Sequence, residues 1–411
     1  MLALTLAVLA LSAFVLIRLS SGTGSGRSGS SSALPAAGQD SAQAVEEIRP
    51  GPAPQGDALS AARTENEGPE AKPREATLTL AGTVALDGEV RKNSYFSDVK
   101  QYDYLDNLAL VRKEIRSDIN IVFLENILTD EAKATDVKAD ESAADMLYAG
   151  GFRFAACGFS RAFDQGGEGI LQTREILKRR GIEAIGIRES GSGSAGYIQE
   201  ANGIRIAVVQ LTGTIPAATR KSMNKQGMAD AVPPADAETA AREIAAAREQ
   251  GCDAVVVLLN WGKTGKAPDK AQRSLAQQIA DAGADLIAGC GSRIVSGAEE
   301  ITAGDGRRVL CIWSLGTLLS GDRSNIQRIA GIAVHATVRS ENGKTAIGNF
   351  SYTPLYTWKY KMDGRFYYRS LAANGSIPDG MDNEQQKYMK KALDTVRSAM
   401  KDAPMEERGS E

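Results

Sequence analysis

Beyond residue 76 the apolar positions of the chain fall into two alternating periods. Compact runs rich in Val, Ile and Leu predict strands at 77–86, 119–127, 153–159, 182–187, 252–262, 284–291, 307–317 and 328–338. Between them, apolar residues three and four apart predict helices over 107–118, 168–181, 236–251 and 269–283, with another ending at Gly150-Gly151. A last amphipathic helix is predicted over 383–400. The segment 196–213 reads as a hairpin turning on Asn202-Gly203, and a second hairpin is predicted near 345–360. Strands joined by crossover helices indicate an α/β fold, and the hairpins indicate sheets that are not wholly parallel.

The first 75 residues break this pattern. Met1 to Ile17 is uncharged and almost wholly apolar, and Arg18 follows. With Leu19 and some tilt it approaches the length of a membrane-spanning helix. No basic residue precedes it and no small-residue cleavage site follows, so 1–19 is expected to be an uncleaved anchor, with a cleaved signal as the alternative. Residues 20–75 are rich in Ser, Gly, Pro and Glu and are expected to form a disordered tether. This layout predicts a single-pass cell-membrane protein whose main domain, 76–360, lies outside the cytoplasm, with 361–411 as an extension closed by a helix.

Composition narrows the chemistry. At 411 residues the chain has room for a full core. Its net charge of −3 gives no basic excess, which argues against a nucleic-acid partner. Cys157, Cys252, Cys290 and Cys311 lie in or beside apolar runs without C-x-x-C spacing, as core residues would. A redox pair of Cys157 and Cys290 is the sharper alternative. His335 is the only histidine and sits in a predicted strand, where packing is the plainer role. The G-K-T of "NWGKTGK" lacks the earlier glycine of a P-loop, since that position is Val257. Trp261 and Trp313 read as packing residues, and the lysines of 387–391 as a solvated face.

In α/β sheets ligands gather at the carboxyl ends of strands. Those ends here read Gly82-Thr83, Leu124-Glu125-Asn126, Phe159-Ser160-Arg161, Asn260-Trp261-Gly262, Gly289-Cys290-Gly291 and Leu315-Gly316-Thr317. The stretches "DQGGEGILQTREILKRRGIEAIGI", "NGIRIAVVQLT", "CDAVVVLLNWG", "QIADAGADLIAGCGSR" and "WSLGTLL" occur in that order. In this order the chain resembles the CapA family, also called PgsA-like, from about Thr77 to Pro354. The resemblance implies a role in poly-γ-glutamate capsule synthesis or export. It also implies a two-sheet mixed sandwich flanked by helices, a four-layer fold similar to calcineurin-like metallophosphoesterases. Capsule-synthase-like membrane proteins are the implied partners, with an anionic polymer as ligand.

The resemblance breaks at the positions where the family places metal-type ligands. Thr83 stands for Asp, Phe123 for Asn, and Phe159, Ser160 and Arg161 for Asn-Asn-His. Asn260 stands for His, Thr264 for an acidic residue, Gly291, Ser292 and Arg293 for His-Pro-His, and Thr317 for Asn. Glu125 alone remains, and one carboxylate cannot hold a metal pair. No metal and no cofactor are therefore expected. Arg161 and Arg293, with Asn260 and Ser160, are candidates for gripping an anionic polymer, since guanidinium forks bind carboxylates; locally paired loop arginines are the plainer reading. Glu125 and Asp164 are the candidates for metal-free acid–base work. Alternatively Glu125 is a remnant and Asp164 caps its loop. The expected role is a non-catalytic scaffold or polymer-binding subunit; the alternative is a metal-dependent hydrolase of an envelope polymer or phosphoester.

Overall fold

A computed structural model describes residues 72–409 apart from 131–136, 190 and 192–195. The predicted anchor 1–19 and nearly all of the predicted tether lie outside the described residues. Among the described residues no helix is long and apolar enough to cross a membrane.

Strand β1 (Arg74–Val84) leads through α1 (Gly88–Ser94) and a ribbon of β2 (Tyr95–Phe96) and β3 (Gln101–Tyr102) to β4 (Ile119–Leu124). A second ribbon, β5 (Ile127–Thr129) with β6 (Lys138–Asp140), precedes α2 (Ser142–Ala149), β7 (Phe154–Ala156), α3 (Gly166–Arg179) and β8 (Glu183–Ile185). Next come β9 (Gly196–Ala201), β10 (Ile204–Thr212), α4 (Ala217–Lys225), α5 (Ala237–Glu249), β11 (Ala254–Asn260) and α6 (Lys270–Asp281). They are followed by β12 (Leu286–Cys290), β13 (Ala298–Thr302), β14 (Arg308–Ile312) and β15 (Thr317–Leu319). The chain closes with β16 (Ala330–Glu341), β17 (Lys344–Met362), β18 (Arg365–Ala372), α7 (Asn383–Met400) and β19 (Glu406–Glu407).

The strands build two mixed sheets. The larger runs β18-β17-β16-β1-β4-β7-β8, with β15 beside β1 and β19 beside β17. The smaller runs β13-β14-β12-β11-β10-β9. The parallel run β1, β4, β7, β8 of the larger sheet has antiparallel strands on its β1 side, and the parallel centre β10, β11, β12, β14 of the smaller is flanked by antiparallel β9 and β13. Alternate residues of the two sheets, among them Leu80, Ile121, Val208, Val256, Leu286 and Val334, meet in one core. Side chains on the outer faces pack under helices: α2 and α3 on the larger sheet, α5 and α6 on the smaller. The result is the expected α/β fold, a two-sheet sandwich flanked by helices.

Two predicted elements need correction. The stretch 107–118 is not an α-helix but part of two 3₁₀ turns, Leu105–Leu108 and Arg112–Glu114. The spacing that suggested a helix also fits the three-residue period of a 3₁₀ turn, because Leu105, Leu108 and Val111 are three apart. The predicted hairpin at 345–360 is one long strand, β17, with Asn349 at φ +52° beside a register shift instead of a turn. Segment 361–411 supplies β18 to the larger sheet and α7 to the inter-sheet core.

Candidate functional site

The parallel strands of both sheets end on the same side of the fold, and three side chains from different elements meet there. Glu125 follows β4, where its N–H donates to the Val84 carbonyl and the next residue, Asn126, accepts from the Leu86 N–H at 2.8 Å. Asn260 is the last residue of β11, and Arg293 lies in the turn after β12. That turn is tight. Gly291 takes φ +104°, and a Cβ there would stand 2.7 Å from the Trp261 carbonyl oxygen. Arg293 itself is left-handed at φ +59°, which aims its side chain across the sheet ends while Thr317 Oγ1 donates to its carbonyl at 3.2 Å.

The three side chains form a closed set. Arg293 donates through Nε at 3.0 Å and a terminal nitrogen at 2.6 Å, both to Glu125 Oε2. Asn260 Nδ2 donates to Glu125 Oε1 at 3.0 Å. Glu125 and Asn260 are buried and Arg293 is half-buried. Burial opposes the charge on Arg293, but Glu125, helped by Asp87 and Asp322, outweighs it and holds the guanidinium above its ordinary pKa. Both carboxylate oxygens are thus occupied by donors from the opposite sheet.

The remaining candidates lie apart from this set. Arg161 pairs with Asp164 at 2.7 Å within its own loop, and both are largely exposed. Glu125 and Asp164 are each held by a different arginine. Ser160 is half-buried in the preceding turn. The two arginines are paired with different carboxylates, Arg161 with Asp164 and Arg293 with Glu125.

Several buried groups explain why the sheet ends are firm. Gln210 of β10 is fully buried and bonds Gly158 twice, accepting from its N–H at 2.9 Å and donating to its carbonyl at 2.8 Å. Gly186 faces it at φ +79°, where a Cβ would stand 2.0 Å from Gln210 Oε1. These residues carry no family motif, but a lone glutamine inside "IAVVQLT" signals a buried polar group that needs two partners. Trp261 stacks on Trp313 at 5.7 Å and donates through Nε1 to the Trp313 carbonyl. All four cysteines are free and buried, and burial pushes Cys157 and Cys290 up to about 12, so neither is a thiolate at neutral pH.

A metal pair needs several oxygen or imidazole donors with free lone pairs. Thr83, Asn260, Ser292 and Thr317 stand at the sheet ends, and the Glu125 carboxylate is engaged by the Arg293 guanidinium. Among the described residues no three His, Cys, Asp or Glu side chains gather as metal ligands. The donor set does not fit such a metal.

The sequence model of the bacterial capsule synthesis protein PGA_cap matches residues 77–322. The chain belongs to this family. Two curated PGA_cap-like relatives bear capsule names. The capsule biosynthesis protein CapA of Bacillus anthracis is 23% identical over 52% of this chain and 53% of its own length. The PGA biosynthesis protein CapA of Bacillus subtilis is 28% identical over 48% of each. The chain thus spans about half the length of the curated relatives it matches. Among solved structures, calcineurin-like phosphoesterase YfkN from Bacillus subtilis aligns with TM-score 0.41 and 12% identity, over 79% of this chain and 99% of that one. A hypothetical protein from Thermus thermophilus aligns with TM-score 0.41 and 14% identity, over 71% and 99%.

Proposed function

We propose that this PGA_cap protein serves capsule production as a non-catalytic subunit, a scaffold or polymer-binding partner of a membrane synthase. The polymer is of the poly-γ-glutamate kind, and the N-terminal segment holds the domain at the outer face of the cell membrane. Family membership and the names of the two relatives support the capsule part of this reading. One observation carries the non-catalytic part: the Arg293 guanidinium on the Glu125 carboxylate. A hydrolase of the metal-dependent type needs cationic Lewis acids at the strand ends, with carboxylates to hold them. Here a fixed organic cation, the Arg293 guanidinium, already engages the Glu125 carboxylate. A guanidinium does not act as a Lewis acid on water as a metal ion does.

The test is metal stoichiometry on the purified protein with Mn²⁺ and Zn²⁺, by elemental analysis and calorimetry, alongside turnover of a phosphodiester substrate. The expected result is no stoichiometric binding and no metal-dependent turnover. Two tightly bound ions with hydrolysis that chelators abolish would replace this reading by the hydrolase.

A further inference from the structure

The β17–β18 hairpin carries rings and cations outside the strand-end cluster. Its register pairs Lys359 with Tyr368 and Lys361 with Phe366 on one face, and Trp358 with Arg369 and Tyr360 with Tyr367 on the other. On the first face Lys359 Nζ stands 4.2 Å from the Phe366 ring centroid and 5.5 Å from that of Tyr368. Lys361 Nζ stands 5.7 Å from Phe366. Among the described residues neither ammonium has a carboxylate within ion-pair distance. Phe366 is 37% exposed and Met362, at the tip, 48%.

The opposite face differs. Trp358 is buried, donates through Nε1 to Gln385 of α7 and stacks on Tyr360 at 4.2 Å, which stacks in turn on Tyr367 at 5.3 Å. Arg369 lies over Tyr360 but is paired with Asp106 at 2.6 Å. The ring ladder anchors the hairpin to the core; on the lysine face Tyr368 is buried beside Glu89, and Lys359, Lys361 and Phe366 are the part left for a ligand.

A ring face attracts a cation without neutralising it. Lys359 and Lys361 stand beside exposed ring surface, about 7 Å apart along one strand. Along the paired strands the lysine face carries Lys359 and Lys361 and no acid, while Arg365 and Arg369 stand on the other face. The complementary ligand is an extended chain with carboxylates at intervals and apolar stretches between. We propose that the lysine face of the β17–β18 hairpin binds a linear polycarboxylate. Its carboxylates meet Lys359 and Lys361, and its methylene and amide stretches lie over Phe366. This rests on the capsule reading above and gives it a ligand site.

The experiment titrates poly-γ-glutamate into the full chain and into the Lys359→Gln/Lys361→Gln variant, with dextran as the neutral control and thermal melts as the fold check. Expected are binding by wild type that weakens as salt rises, at least tenfold weaker binding by the variant, and equal melting temperatures. Undiminished binding by the variant would overturn the site while leaving the capsule reading in place. No binding by wild type would also overturn it, and the metal and hydrolysis assays would then judge the capsule reading separately. If the variant keeps the polymer but pellets less with phosphatidylglycerol vesicles than wild type, the face is a lipid surface and the proposal fails.

Discussion

With a side chain only 7% exposed, the Glu125 carboxylate has little water to solvate it and depends on Arg293 and Asn260 for its charge. Removing Arg293 strands that charge. Arg293→Ala is expected to destabilise the fold by about 3 kcal/mol, because breaking one side of a buried pair costs more than the pair contributes. Replacing both partners, as Glu125→Leu with Arg293→Met, should recover at least half of that loss. Urea denaturation of the three proteins checks it; an Arg293→Ala variant within error of wild type would show the pair to be solvated and idle. In the sequence, Glu125 and Arg293 stand out as strand-end residues in a family context. Their mutual pairing does not, because it spans 168 residues and depends on how two sheets meet. Gln210 escapes motif reading for a related reason. Its role emerges only once β10 is placed against the Gly158 backbone.

At the scale of elements, His335 shows what a central strand does to a titratable group. It sits in β16 between β1 and β17, with Nδ1 3.1 Å from Thr79 Oγ1 and Nε2 3.0 Å from Thr353 Oγ1. Burial, assisted by the charge of Arg408, lowers its pKa to about 4. The unfolded chain binds this proton below about 6.5, while the folded chain refuses it until about 4. The contribution is therefore complete above pH 6.5 and lost as pH falls towards 4, a span worth about 3 kcal/mol. His335→Gln should flatten the stability profile between those values; an unchanged slope would assign the acid sensitivity to other groups. That His335 packs in a strand was legible from its apolar neighbours. So was the β9–β10 turn, since Asn202-Gly203 takes positive φ at both positions. Asn342-Gly343 and Asp363-Gly364 do the same and flank β17, whereas Gly348-Asn349 within it only bends the strand. Sequence alone does not mark the bend at Gly348-Asn349, because it depends on how β17 shifts register against β16.

For the whole molecule, the informative boundary is the one near residue 360. A linear reading makes 361–411 an appendage, yet Leu371, Met389, Leu393, Val396 and Met400 are buried in the core between the sheets. The four from α7 contribute roughly 1.5–3 kcal/mol each by removal from water. Together that equals about 6–12 kcal/mol, comparable to the entire net stability of an ordinary domain. Losing β18 would also leave β17 as a long unpaired edge carrying Trp358 and Tyr356. A chain ending at Tyr360 is therefore expected to aggregate or lose its cooperative melt. One ending at Ala403 removes β19, the Arg397–Glu407 pair, the Asn374 bonds to Glu407 and Arg408 and the partly buried Met405, and should keep the fold with a modest loss. Circular dichroism melts and size-exclusion profiles of the two truncations separate these cases. A folded, monomeric 1–360 protein would show that the family-matched segment carries its own core, and that the hairpin bearing Lys359 and Lys361 is an accessory to it.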